Sequence, residues 1–136
     1  MGTWDTGHFD SDAAADFGWR LDQIAAEERE EFLRGFLTGE VGAGDFLDGS
    51  TGAQAVAAAA LIAAQCPGGE PVTTAYGPKT PQPEFSPALR TTAVRALDRV
   101  LGKDSELAEL WDETEDAAQW RGGVEHLREV LSAAAP

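Results

Sequence analysis

The chain has 136 residues, of which 43% are apolar and 25% are charged, and its formal net charge is −14. This length closes one well-buried core and is short for two, so residues 1–136 are predicted to form a single domain. A strongly acidic protein repels nucleic acid and anionic lipid and favours encounter with cationic partners, although solubility alone also explains such a charge.

The sequence predicts a cytoplasmic protein that does not enter a membrane. Its longest apolar run, residues 53–64, would span about 18 Å as a helix, against about 30 Å for the hydrocarbon core of a bilayer. No basic region leads into an apolar stretch at the N-terminus, so no signal peptide is expected. The single cysteine, Cys66, cannot form an internal disulfide and fits a reducing compartment, where we expect it to be packed.

The first segment, MGTWDTGHFDSDAAADF, contains glycines, large aromatic residues and several aspartates. Residues 1–11 predict a non-helical arm that is anchored to the domain. Gly2 and Gly7 allow the backbone to turn, and Trp4 and Phe9 are expected to pack as aromatic anchors.

A first helix is predicted from Asp12 to about Gln23, with Asp10 or Asp12 capping its first turn. Asp10, Asp12 and Asp16 also form the pattern D-x-D-x-x-x-D, whose carboxylates can converge on a hard divalent cation. The calcium-loop pattern is incomplete, because alanine occupies positions 14 and 15. We therefore expect no cofactor, with a divalent cation at these three aspartates as the alternative.

The next two helices are predicted in AAEEREEFLRGFL and AQAVAAAALIAAQ, separated by a glycine-rich connection. Ser50 or Thr51 is expected to cap the third helix. Because this helix is apolar on all sides, it is predicted to lie at the centre of a bundle, where alanine allows its neighbours to approach closely.

A Pro/Gly-rich connection, residues 66–86, follows the third helix. Proline excludes regular helix and inner strand there, and so long a connection requires packing of its own or a binding role. We expect it to cross the bundle as a strap.

Three further helices complete the prediction. Ser86 and Pro87 indicate the start of the fourth helix, whose basic side chains, Arg90 and Arg99 among them, are expected to neutralise acids on neighbouring elements. A short fifth helix follows with Ser105 as its cap, and a last helix extends from about residue 116 to 133. The fold class is therefore all-α: a single irregular bundle of about six helices around a central Ala-rich helix.

Several stretches resemble a bacterial family that is described as a domain of unknown function, whose members open with Met-Gly-Thr-Trp and continue with glycine, phenylalanine and acidic residues. The resemblance extends through AVAAAALIAAQCPGGEP, AVRALDRVL and DSELAELWDE. Asp5 stands where the family usually has glycine. The resemblance implies a folded domain and brings no activity, cofactor or catalytic residue. The matching residues in the first segment are Gly2, Thr3, Trp4, Gly7, Phe9, Asp10, Asp12, Ala15, Asp16 and Phe17.

The sequence shows no catalytic constellation, so we expect that the protein is not an enzyme. His8 and His126 are expected to be structural or solvated, and the motifs of nucleophile elbows, zinc proteases and phosphate-binding loops are absent from the sequence. The 24 acidic residues leave an enzyme that uses a carboxylate pair open as an alternative.

Residues 104–116, the acidic segment, carry seven acids and no base. Such a segment suits a basic protein partner, for instance when an immunity-type inhibitor masks the active site of a nucleic-acid-degrading toxin. The sequence therefore predicts a non-enzymatic protein-binding module without nucleic-acid or membrane partners, and it leaves the oligomeric state open. The predicted contact residues are Asp104, Glu106, Glu109, Asp112, Glu113, Glu115 and Asp116.

Overall fold

The computed structural model describes residues 5–136, so the predictions for Gly2 and Trp4 lie outside the described residues. The described part contains six α-helices, and a π-helical turn, Phe36–Glu40, extends the second of them. The prediction of an all-α bundle of about six helices is confirmed. The helices are α1 (Asp12–Asp22), α2 (Ala26–Gly35), α3 (Gly49–Ala63), α4 (Ala88–Leu101), α5 (Glu106–Asp112) and α6 (Ala117–Ala134).

Helix α3 lies at the centre of the bundle, as its sequence predicts. Every residue from Ala55 to Ala63 is buried, and α1, α4, α5 and α6 all pack against this helix. Its small side chains allow close approach, and the neighbouring helices supply most of the large buried side chains. Among residues 5–136, no helix combines the length and the apolar character that crossing a membrane requires. The neighbours' fully buried side chains include Phe17, Leu21, Leu89, Leu97, Val124 and Leu131.

Two helices begin with a different cap from the predicted one. Ser11, and neither Asp10 nor Asp12, caps α1, because its hydroxyl accepts a hydrogen bond from the Ala14 amide at 3.1 Å. Asp48, and neither Ser50 nor Thr51, caps α3 by accepting from the Thr51 amide at 3.2 Å. In both cases several adjacent residues have side chains that can cap, and the sequence alone does not select among them.

Three polar side chains at α4 have partners other than the predicted ones. The Ser86 hydroxyl does not cap α4 but donates to Glu30 of α2 at 2.7 Å. Arg99 donates to the Val41 carbonyl and Arg90 to the Ala134 carbonyl, so these two arginines bind backbone oxygens rather than acids. Such contacts satisfy carbonyl groups near chain turns and helix ends, which otherwise lack partners.

The connection between α3 and α4 crosses the bundle as the predicted strap. Asp22 at the end of α1 accepts hydrogen bonds from the Lys79 amide at 2.7 Å and from the Thr80 amide and hydroxyl at 3.0 and 2.6 Å. Burial raises the pKa of the Asp22 carboxyl, but these hydrogen bonds outweigh it and hold the pKa below its ordinary value. Arg29 and Gln65 donate to strap carbonyls farther along.

Replacing Asp22 with alanine removes three hydrogen bonds that hold the strap on α1. We expect Asp22→Ala to lower the free energy of unfolding by about 1–2 kcal/mol, measured by chemical denaturation, because the bonds involve a charged acceptor that is partly exposed. Asp16→Ala is the matched control, since Asp16 is an exposed carboxylate on the same helix. Equal effects of the two substitutions would show that Asp22 does not hold the strap.

Candidate functional site

The arm before α1 is fixed by a tight turn between Gly7 and Asp10. The Asp10 amide donates to the Gly7 carbonyl at 3.1 Å, and the Gly7 amide donates to Oδ2 of Asp10 at 3.0 Å. A Cβ atom on Gly7 would overlap the Asp10 carboxylate, so another residue there would disrupt this second bond. The turn places Phe9 in the core, where only 3% of its surface is exposed.

The three N-terminal aspartates are not gathered into one ligand set. Asp10 holds the turn with Gly7, whereas Asp12 and Asp16 are exposed on α1. Within residues 5–136, no group of three histidine, cysteine, aspartate or glutamate side chains could hold a metal ion. The D-x-D-x-x-x-D pattern thus reflects a turn residue followed by two surface residues.

A glycine turn after α3 carries the chain back toward the arm. Gly68 adopts a positive φ of 85°, and the Gly69 amide donates to the Cys66 carbonyl at 3.0 Å. A Cβ atom on Gly69 would overlap the carbonyl oxygen of Ala63, so the backbone follows this path only with glycine. Residues 69–74 then line the same cavity as the arm.

This cavity has a volume of about 350 Å³ and lies among the arm, residues 69–74, α3 and α6. Apolar side chains and two alanines of α3 form much of its lining, while titratable groups and two threonines supply polar atoms. The apolar lining residues are Phe9, Ala60, Ala63, Pro71, Val72, Leu127 and Val130, and the polar side chains are those of His8, Asp10, Glu70, Thr73, Thr74 and His126.

His8 is the most enclosed titratable group of the cavity. Its ring lies against Gly123 of α6, where a Cβ atom would be 3.4 Å from Cε1. Its Nδ1 atom is buried without a hydrogen-bond partner in the described part of the chain. Buried polar atoms usually have a hydrogen-bond partner, so this nitrogen is an exception in the lining of the cavity.

Burial lowers the pKa of the His8 imidazole below its ordinary value. The carboxylates of Glu70 and Asp10 act in the opposite direction, and His126 lowers the pKa further. Because burial is the largest of these effects, His8 is neutral at neutral pH. A neutral imidazole has one donor and one acceptor nitrogen to offer.

The sequence alone gives no indication that these residues form one site. His8 and His126 were each predicted to be structural or solvated, and no local pattern places them at one cavity. His8 is largely buried, and His126 is exposed at the edge of the cavity. The one sequence signal is the CPGGEP turn, whose glycines bring residues 69–74 toward the arm.

A family model described as Domain of unknown function (DUF4259) matches residues 2–123 of the chain. The chain belongs to this family. No curated protein and no solved structure matches it. The matched range contains the parts of the DUF4259 domain that carry His8, Asp10 and Glu70, and it ends before His126.

The acidic segment of this DUF4259 domain is divided between structural and exposed carboxylates. Oε1 of Glu106 accepts from the Gly49 amide at 2.6 Å, which places a carboxylate at the N-terminus of α3. Asp112 forms an ion pair with Arg121 of α6 at 2.8 Å, and the pKa of Asp112 is lowered by hydrogen bonds from that guanidinium. The carboxylates that are exposed and have no bond within residues 5–136 are those of Asp104, Glu109, Glu113, Glu115 and Asp116.

The lowered pKa of His8 predicts how stability depends on pH. Below the ordinary value of 6.5, the unfolded chain binds a proton at this residue more readily than the folded chain does. The free energy of unfolding therefore falls as the pH is lowered through 6.5, until the folded state is protonated as well.

We expect His8→Gln to show a smaller loss of stability than the wild type between about pH 7.5 and about pH 5.5, measured by chemical denaturation. His126→Gln is the control, because His126 is exposed on α6. An unchanged pH dependence in His8→Gln would contradict the assignment of a lowered pKa to His8.

Proposed function

We propose that this DUF4259 domain is a non-enzymatic binding protein that takes up a small organic molecule in the cavity beside the arm. The observation that carries the proposal is the cavity of about 350 Å³, whose apolar lining is combined with a few polar side chains. Binding sites for small molecules are typically concave, have volumes of about 300–1,000 Å³ and combine the same two kinds of lining.

The backbone around the cavity supports a site that is formed before the ligand arrives. On one side, the hydrogen bonds between Gly7 and Asp10 close the turn of the arm. On another side, Gly69 lies against the carbonyl of Ala63 at the end of α3. A ligand therefore need not order these segments, which reduces the entropic cost of binding.

The side-chain contacts near the cavity favour binding over catalysis. A nucleophile needs a hydrogen-bonded base, and the base needs an orienting partner. In the described part of the chain, Nδ1 of His8 has no partner and Asp10 is bonded to the Gly7 amide. The thiol of Cys66 is buried and donates to the Ile62 carbonyl at 3.5 Å.

The proposal is tested by titrating the labelled protein with a set of small cationic, neutral and anionic molecules and recording amide NMR shifts. We expect shifts at residues 7–10, 69–74 and 126–130. His126→Trp changes a residue on the exposed edge of the cavity. It is expected to weaken binding by about tenfold, because the larger indole occupies part of the cavity and reduces the apolar surface that the ligand can bury.

Glu125→Trp is the matched control, because Glu125 is exposed next to His126 and does not line this cavity. This variant is expected to bind like the wild type. The proposal fails if no molecule of the set shifts the resonances of the lining residues, or if both variants bind every molecule equally well.

A second candidate function is docking of a basic protein on the acidic segment. The supporting observation is that five of its carboxylates are exposed and form no bond within the described residues, so their charge is not used by the fold. Exposed charges of this kind act mainly on the rate and specificity of association. Their effect is expected to fall steeply with salt, since exposed charges are screened within about 8 Å at physiological ionic strength.

This second candidate is tested with a variant that carries Glu109→Gln, Glu113→Gln, Glu115→Gln and Asp116→Asn. We expect the variant to lose the basic protein that the wild type retains from its host lysate at low salt, because four attractive charges are removed. The measurement is quantitative mass spectrometry of the retained proteins at low and high salt.

The control variant removes four carboxylates from α2 and the adjoining π-helical turn. Its net charge therefore equals that of the test variant. It is expected to retain the partner. Equal losses in both variants would assign the binding to net charge and contradict docking on the acidic segment. The control substitutions are Glu27→Gln, Glu28→Gln, Glu31→Gln and Glu40→Gln.

A further inference from the structure

Negative charge predominates among the side chains that line the cavity. Asp10 and Glu70 each contribute a carboxylate, and no lysine or arginine lines the cavity in the described part of the chain. Within residues 5–136, the lining groups that can become cationic are His8 and His126, and burial favours the neutral form of His8. The cavity therefore offers negative charge and neutral imidazole beside an apolar surface.

Hydrogen-bond acceptors remain available on these groups. Oδ2 of Asp10 accepts one hydrogen bond from the Gly7 amide, and a carboxylate can accept several. The Glu70 carboxylate is exposed and forms no bond within residues 5–136. The carboxylates of Asp10 and Glu70 both act electrostatically on the imidazole of His8, so these three acceptor groups of the lining lie near one another. Their number matches the three N–H donors of an ammonium group.

We infer that the cavity binds a small primary amine in its protonated form, with the ammonium group at Asp10, Glu70 and His8 and a short apolar chain against α3 and α6. This inference rests on the proposed function and adds the chemical class of the ligand. An alkyl chain of a few carbons matches the apolar side chains that line the rest of the cavity.

The long-range field supports a cationic ligand. The net charge of −14 raises the local concentration of cations at the surface and speeds their encounter with the protein. An anionic ligand of the same length would meet the carboxylates of Asp10 and Glu70 without a lysine or arginine to compensate. A neutral ligand would gain the apolar contacts but not the attraction of the carboxylates.

The charge state of His8 is coupled to the binding of an amine. The groups that face this imidazole are Asp10 and Asp5 from the arm, Glu70 from the turn after α3 and His126 from α6. A bound ammonium group adds a positive charge near His8 and disfavours its protonation. By linkage, the pKa of His8 falls when the amine binds, and acidification weakens the binding of the amine.

The test uses three probes that share one alkyl chain and differ in the charge of the head group. Pentylamine, pentanol and pentanoate are titrated into the full-length protein at low ionic strength, and binding is followed by amide NMR shifts. We expect pentylamine to bind about tenfold more tightly than pentanol, with pentanoate the weakest, because two carboxylates attract the ammonium group.

Glu70→Gln removes one carboxylate without removing a hydrogen bond of the fold. It is expected to weaken pentylamine binding by about fivefold and to leave pentanol binding unchanged, since a partly exposed ion pair contributes up to about 1 kcal/mol. Glu84→Gln is the matched control, because Glu84 is an exposed carboxylate of the strap that does not line the cavity. This control is expected to bind all three probes like the wild type.

Two further measurements sharpen the test. Imidazole resonances of His8 should titrate at lower pH in the presence of pentylamine than in its absence, and pentanol should cause no such shift. Nα-acetyl-lysine amide, whose side-chain ammonium group is free, tests whether the ammonium group can come from a lysine side chain. Tighter binding of this probe than of pentylamine would retain the ammonium chemistry and assign its source to a protein partner.

The outcomes separate the inference from the proposed function. Equal binding of pentylamine, pentanol and pentanoate at the lining residues would leave the cavity as a binding site and overturn the assignment of an amine. An unaltered preference for pentylamine in Glu70→Gln would also overturn it. The absence of shifts at the lining residues with every probe and every molecule of the wider set would overturn both.

Discussion

The structure depends on one constraint: a helix without a polar face must be covered on all sides. Helix α3 has alanine or glycine at nine of its fifteen positions, so it fills little volume itself and allows other helices to approach its axis closely. Most of the large, fully buried side chains of the core therefore come from α1, α4 and α6, which pack against α3; Phe17, Leu97 and Val124 are examples. Because the small side chains of Ala60 and Ala63 also leave room beside α6, this constraint contributes to the cavity.

A long connection leads from the end of α3 to α4, and polar side chains of the neighbouring helices hold it. Proline has no N–H group, so segments rich in proline present mainly carbonyl groups that need donors. Arg29 donates to the Pro81 carbonyl and Gln65 to the Pro83 carbonyl. Glu30 accepts from the amide and hydroxyl of Ser86, where the strap leads into α4.

The sequence was informative wherever the determining interaction was local. Apolar spacing located the helices, and the absence of a polar face placed α3 at the centre. Caps were less predictable, because Ser11 competes with two adjacent aspartates and Asp48 with two nearby hydroxyl residues. Ser86 was expected to cap α4 on local grounds, but its hydroxyl is bonded to Glu30, 56 residues away along the chain.

The cavity could not be predicted from the sequence, because it also depends on contacts between residues that are distant in the chain. Its polar groups come from the arm, the turn after α3 and the last helix, which are distant in the chain and adjacent only in the fold. Nothing in the sequence around His8 indicates that it is buried. Its lowered pKa arises mainly from burial in the folded chain, where its ring lies against α6. A single sequence shows residue types and spacing but not burial, so it did not identify this histidine as unusual.

The net charge of −14 is the sum of carboxylates with different roles. Asp48 and Glu106 bind amides at the N-terminus of α3, where the helix dipole favours negative charge. Asp22 and Glu30 hold the strap. These four carboxylates are fixed by hydrogen bonds between elements or at helix ends, so they cannot change partners without loosening the fold. Other carboxylates, among them Glu70 at the cavity and the exposed members of the acidic segment, form no such bond within residues 5–136, and the proposed ligand and partner sites use these groups.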